Sequence, residues 1–102
     1  MILVDTSLWI DHLHSTELQL VELLDLDRVG CHQLVVEEIA LGSIARRDDV
    51  LGLLGNLFQF PQTSHHEVMH LTAQRQLWGR GLSAIDVHLM AAVAVVSGAQ
   101  LW

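Results

Sequence analysis

The chain has no lysine. Every side-chain positive charge is an arginine, at Arg28, Arg46, Arg47, Arg75 and Arg80, against a formal net charge of -7. A Walker-type nucleotide site needs a lysine and is excluded. An acidic surface also argues against loose binding to nucleic acid through bulk charge, though not where metal ions neutralise a site. Cys31 is the single cysteine. It cannot close an internal disulfide or build a cysteine zinc site, which fits a reducing compartment, and it is read as a small buried hydrophobe. No basic region precedes the apolar run Ile2-Leu3-Val4, so the start does not read as a signal peptide. The longest uncharged apolar run, Leu89 to Val96, is far too short to span a bilayer. A cytoplasmic protein with no membrane segment is expected. Repeats, low-complexity tracts and linkers are missing too, and Pro61 is the only proline.

What the chain does have is apolar content. Hydrophobic residues make up 51% and charged residues 17% of 102 positions, a globular composition suited to a single domain over residues 1–102. Short apolar segments at Ile2–Val4, Arg28–Cys31 and Leu57–Phe60 predict strands, and Ala99–Trp102 starts a fourth. Between them, helices are predicted from near Ser7, after Ser15-Thr16, over Leu34–Leu41 with Gly42 as stop, and over Arg46–Leu54. Two more run from Ser64 to about Trp78, closed by Gly79, and from Ser83 to near Ser97-Gly98. Short apolar strands separated by helices predict an α/β fold with a parallel sheet covered on both faces. Functional sites of such sheets gather at the carboxyl ends of the strands. A chain ending on a strand leaves Leu101 and Trp102 poorly covered, so a domain cut short is expected.

Three carboxylates fall beside predicted strand ends. Asp5 follows the first strand, Glu38 lies in the helix after the second, and Asp86 opens a helix that is otherwise almost wholly apolar. Converging carboxylates repel one another, and a divalent cation compensates them. Oxygen-only ligation suits Mg²⁺ or Mn²⁺. Each acid also has a plainer role open to it. Asp5 can cap the first helix, Glu38 can be solvated beside Glu37, and Asp86 completes a capping box with Ser83.

The segment Met1-Ile2-Leu3-Val4-Asp5-Thr6-Ser7-Leu8-Trp9-Ile10-Asp11 resembles the opening of PIN-domain toxins of the VapC type. Glu38, followed four residues later by Gly42, resembles their second block. Leu77 to Ala91, a glycine-rich loop leading into an Asp-bearing apolar helix, resembles the third. Gln100-Leu101-Trp102 resembles the strand that leads to a fourth block, a Thr-x-Asp segment. The resemblance covers the whole chain in family order. It implies a PIN-like three-layer domain with a short central parallel sheet flanked by helices, lacking the last helix and strand. It also implies a metal-dependent endoribonuclease with Mg²⁺ (or Mn²⁺), Asp5, Glu38 and Asp86 being the catalytic and metal-binding acids. Thr6 and Ser7 would support them. Arg80, between Gly79 and Gly81, is read either as a contact to an RNA phosphate or as a solvated loop residue. The implied partners are the RNA substrate, a cognate antitoxin and a second copy of the chain in a homodimer. The fourth block's Asp is absent, so the alternative is a truncated domain that binds antitoxin while cutting nothing. Asp11 is expected in a salt bridge or facing solvent, and His88 is expected to be structural.

Two other motifs compete. His66-Glu67-Val68-Met69-His70 matches the zinc-protease pattern of two histidines on one helical face with a glutamate base. The start Ser64-His65-His66-Glu67 is also a capping box, which accounts for Glu67 without chemistry. Acids at strand ends further describe phosphoacceptor modules, but those resemblances imply a site lysine that this chain lacks.

Overall fold

The computed structural model describes all 102 residues. The chain runs β1 (Ile2–Leu3), α1 (Thr6–His14), α2 (Leu18–Asp25), β2 (Val29–Cys31), α3 (Gln33–Leu41), α4 (Arg47–Asn56), β3 (Phe58–Gln59), α5 (His65–Gln74), α6 (Ala84–Ala94) and β4 (Gln100–Leu101). The four strands form one sheet in the order β3-β2-β1-β4. Every pairing is parallel, as the helix-separated apolar runs predict. The fold is α/β and consistent with a PIN-like domain.

That strand order has a chemical consequence. From β1 the chain moves one way through β2 to β3, then returns past β1 to lay β4 on its other side. Right-handed crossovers put the helices of the outward run on one face and those of the return on the other. The order therefore reverses between β1 and β4, and in open α/β sheets the crevice at such a reversal binds ligands. Asp5 ends β1 at this point, and its N–H donates to the Trp102 carbonyl at 2.8 Å, closing the carboxyl ends of β1 and β4 together.

The core explains why such short strands hold. Ile2, Leu3 and Val4 are buried and pack with Val29 and Cys31 of β2. Trp9, Leu20, Val35, Ile39 and Leu54 come in from α1 to α4, and Leu89 and Ala92 from α6. A strand buried on both faces reads as a continuous apolar run, as Ile2–Val4 does. A second cluster of Val68, Leu71, Leu77, Val87 and Ala91 welds α5 to α6. Gly30 has no room for a side chain, because a Cβ there would lie 2.5 Å from Phe60 Cε2 and 2.9 Å from the Phe58 carbonyl oxygen.

Two helices end earlier than the sequence predicts. Helix α5 stops at Gln74 instead of near Trp78. Gln76 takes the left-handed conformation (φ 52°), Leu77 N–H donates to Thr72 O, and Gln76 N–H donates to Ala73 O. This is a Schellman stop, with Leu77 folding back onto Leu71 in the second cluster. Gly79 was the expected terminator but lies three residues beyond it. Helix α6 ends at Ala94, before Ser97-Gly98, in turns in which Val96 N–H reaches Val93 O and Ala99 N–H reaches Val96 O. No helix is long and apolar enough to cross a membrane.

Candidate active site

The β1–α1 junction organises the site. Thr6 is buried at 8% exposure, and its hydroxyl donates to Glu38 Oε1 at 2.6 Å across from α3. Ser7 Oγ donates to Asp5 Oδ2 at 2.8 Å. Asp5 is the N-cap residue of α1, yet its side chain makes no capping hydrogen bond and is left facing the crevice. One stretch of three residues thus carries one acid and orients a second.

Asp86 arrives from the other face. Ser83 starts α6 with a complete capping box: Asp86 N–H donates to Ser83 Oγ at 3.1 Å, and Ser83 N–H donates to Asp86 Oδ2 at 2.9 Å. The plainer role for Asp86 is real, but it uses only one carboxylate oxygen. Asp86 also lines a cavity of about 320 Å³ together with Asp5, Leu82, Leu89, Met90 and Trp102. This cavity lies at the sheet's reversal point between β1 and β4.

Of the sequence-predicted acids, Asp5 and Asp86 therefore line one cavity, whereas Glu38 does not line it and is held by Thr6, the residue after Asp5. No three His, Cys, Asp or Glu side chains stand close enough to hold a metal ion by themselves. The donors are nevertheless of one hard, anionic kind. Mg²⁺ keeps several waters and is held by one or two carboxylates, so the Asp5–Asp86 pair with Glu38 nearby fits that ion better than zinc. Arg80 is exposed in the loop before α6 and makes no ion pair. Asp11 faces solvent.

His32 is the residue that sequence reasoning missed. Leu3 pairs with Gly30, so Asp5 and His32 end their adjacent strands at one level two residues on. His32 is 1% exposed, and its Nδ1 accepts from Leu34 N–H at 3.1 Å as the cap of α3. The ring proton then sits on Nε2, which is buried without a partner. Burial, reinforced by the charge of His88 and opposed by Glu37, lowers its pKa below the ordinary 6.5. The signal in the sequence was a histidine standing directly between a strand and a helix. Next to it, burial pushes the Cys31 thiol up to about 11, as suits a small core hydrophobe.

The zinc-protease pattern does not assemble. His66, Glu67 and His70 line a separate cavity of about 350 Å³ against Ala91, Ala94 and Val95 of α6. Glu67 is committed to the helix start, its N–H donating to Ser64 Oγ at 3.1 Å and its Oε1 accepting from Ser64 Oγ at 3.2 Å. No third ligand joins the histidines.

A short all-parallel sheet with helices between its strands, and Asp5 and Asp86 lining one cavity at its reversal point, is consistent with a PIN-like class of domain. No family model matches the chain. It is 60% identical to Ribonuclease VapC32 of Mycobacterium tuberculosis, in strains CDC 1551 / Oshkosh and ATCC 25618 / H37Rv, over 102 residues covering all of this chain and 82% of each relative. The chain belongs to the VapC ribonuclease family.

Proposed function

We propose that this protein is a metal-dependent endoribonuclease toxin that hydrolyses phosphodiester bonds in RNA and is restrained by a cognate antitoxin. The observation that carries the proposal is the shared cavity of Asp5 and Asp86 at the β1–β4 reversal, in a chain so similar to a named ribonuclease. Asp5 and Asp86 would hold Mg²⁺ (or Mn²⁺), and Glu38 would complete the set through a water. The bound ion supplies an activated water and neutralises charge on the leaving oxygen. The chain's own residues do the rest. Ser7 and Ser83 each engage one carboxylate oxygen and fix the acids' orientation. Thr6 fixes Glu38 in the same way. Arg80, exposed in the loop before α6, would meet an RNA phosphate. A homodimer and an antitoxin helix are the partners proposed for exposed apolar positions such as Leu18 and Leu41.

The test is cleavage of mixed single-stranded RNA with Mg²⁺ or Mn²⁺, beside Asp5→Asn, Asp86→Asn and EDTA controls. Asn preserves the cap of α6 while removing a charge. Each variant should lose at least about 100-fold in rate, since such ions contribute several kcal/mol. Mn²⁺ should also raise the melting temperature of the parent and not of Asp5→Asn. A folded chain that neither cuts RNA nor responds to Mn²⁺, yet binds antitoxin, would move the assignment to a binding module.

A further inference from the structure

We infer that Trp78 is a base-stacking platform that, with Arg75 and Arg80, seats a single-stranded stretch of the RNA beside the acidic cavity. The inference rests on the ribonuclease reading and deepens it by naming how a protein of net charge -7 holds a polyanion.

Charge leaves few places for the RNA. Of the five arginines, Arg46 is paired with Asp49 at 3.1 Å, and Arg47 donates to the Ala40 carbonyl and lies near Asp48. Arg28 precedes β2, at the amino end of the sheet, away from Asp5. Only Arg75 and Arg80 remain, both exposed and without ion pairs, and they bracket Trp78 in the α5–α6 connection. That connection leads into Ser83 at the start of α6, hence to the carboxyl end of the sheet, where the acids are.

Trp78 is the aromatic side chain most open to solvent. It is 65% exposed, while Trp9 and Phe60 are buried and Phe58 lies on the edge strand β3. A tryptophan left this open gives up most of the burial free energy its ring could provide. Its neighbours Gly79 and Gly81 have φ of +74° and +77°, and a Cβ at either would touch nothing, so the loop offers a ring with open space beside it. Trp78 lines a shallow cavity of about 240 Å³ whose wall includes Leu82, and Leu82 is also a wall of the cavity holding Asp5 and Asp86. The two depressions are therefore contiguous across one side chain. Proteins hold unpaired bases on exposed aromatic faces and their phosphates on arginines, and here Arg75 and Arg80 lie three and two residues from Trp78 along the chain. A duplex, whose bases are already stacked, could not use it.

The experiment measures binding of a fluorescently labelled, cleavage-resistant 2′-O-methyl RNA decamer of mixed sequence, as a single strand and as a duplex, with the full chain. Trp78→Ala should weaken single-strand binding about 10-fold or more, since stacking is worth roughly 1–3 kcal/mol per base. Trp78→Phe should recover most of it. Arg80→Ala should weaken binding and reduce the salt slope by about 1. Duplex binding should be unaffected by Trp78→Ala. On a cleavable single strand, Trp78→Ala should raise KM more than it lowers kcat. Equal single-strand affinity of parent and Trp78→Ala, or no single-strand binding by the parent, overturns the proposal. Loss of cleavage in Asp5→Asn with Trp78-dependent binding retained supports both readings. Trp78-dependent binding by a parent that cuts nothing sinks the nuclease reading alone.

Discussion

Thr6→Val removes one hydroxyl and almost nothing else. In the native protein that hydroxyl donates to Glu38 Oε1 at 2.6 Å and joins α1 to α3 across 32 positions of sequence. Hydrogen bonds to a charged acceptor are worth about 1.5–3 kcal/mol net. Two features place this bond in the lower part of that range. Glu38 is only half-buried, so water can replace some of the lost donor, and valine's methyl gains a little in a site that is 8% exposed. The expected loss is about 1–2 kcal/mol, or roughly 5–15 °C in Tm for a domain of this size. Urea and thermal melts check it. A double-mutant cycle with Glu38→Ala should return a coupling energy of about 1–2 kcal/mol, and Thr6→Ser should retain most of the stability. Cleavage should fall in Thr6→Val by more than its unfolded fraction explains, because Glu38 loses its fixed orientation. A Thr6→Val protein as stable as the parent, with zero coupling to Glu38, would refute the claim that this bond sets the acid's place.

Gly30→Ala should cost about 1–3 kcal/mol in a denaturant melt, since its Cβ would meet Phe60 at 2.5 Å and the Phe58 carbonyl at 2.9 Å. Adding Phe60→Leu should recover part of that loss, the ring being movable and the carbonyl not; no penalty in Gly30→Ala would contradict the packing. His32 predicts a pH dependence. Its folded pKa lies below the ordinary 6.5, so between the two values the unfolded chain binds the extra proton. The stability that depends on neutral His32 is full above pH 6.5 and is lost as pH falls from there toward the folded pKa, with a slope of at most about 1.4 kcal/mol per pH unit. His32→Asn keeps an acceptor for Leu34 N–H and should flatten the melting-temperature profile between pH 7 and 5; an unchanged profile would assign the effect elsewhere. Cys31, fully buried with its thiol pushed up to about 11, should resist iodoacetamide at pH 8 until the protein is unfolded, and rapid labelling of the native state would contradict that burial.

The sequence made the sheet legible because strands buried on both faces carry uninterrupted apolar runs, as Ile2-Leu3-Val4 does. Strand order was not legible, since nothing local to Gln100-Leu101 says that it returns to β1 and not to β3. Helix ends misled where tertiary packing overrode the expected residue. A glycine was the expected stop for α5, but burial of Leu77 against Leu71 makes it worthwhile for Gln76 to adopt the left-handed turn. Asp5 and Asp86 could be picked out because each stands at the edge of an apolar run, Asp5 after Ile2-Leu3-Val4 and Asp86 at the start of the apolar α6. The Thr6–Glu38 bond could not, because it depends on the angle at which α3 crosses α1. His32 was passed over because a histidine beside a strand has no spacing signature of its own, and only the register with β1 brings it level with Asp5.

On the proposed metal-dependent reading, the arrangement at residues 5 to 7 would let an acidic site be stable before any cation arrives. Uncompensated carboxylates at one point would repel each other and destabilise the fold. Here each of the three acids is supplied with a neutral donor of its own: Ser7 for Asp5, Thr6 for Glu38, and Ser83 with its backbone N–H for Asp86. None is paired with an arginine, which would neutralise the charge a cation needs. Hydroxyl and amide donors orient a carboxylate and leave its charge in place. The acids are thus held in place by neutral donors, and on the proposed reading their charge is what a cation would complete. Replacing Ser7 with Arg should reverse that balance. The folded variant should melt no lower than the parent, because an ion pair with Asp5 substitutes for the lost hydrogen bond. It should also lose the Mn²⁺-dependent rise in melting temperature. A Ser7→Arg protein that still responds to Mn²⁺ like the parent would show that Asp5 is not where the cation binds.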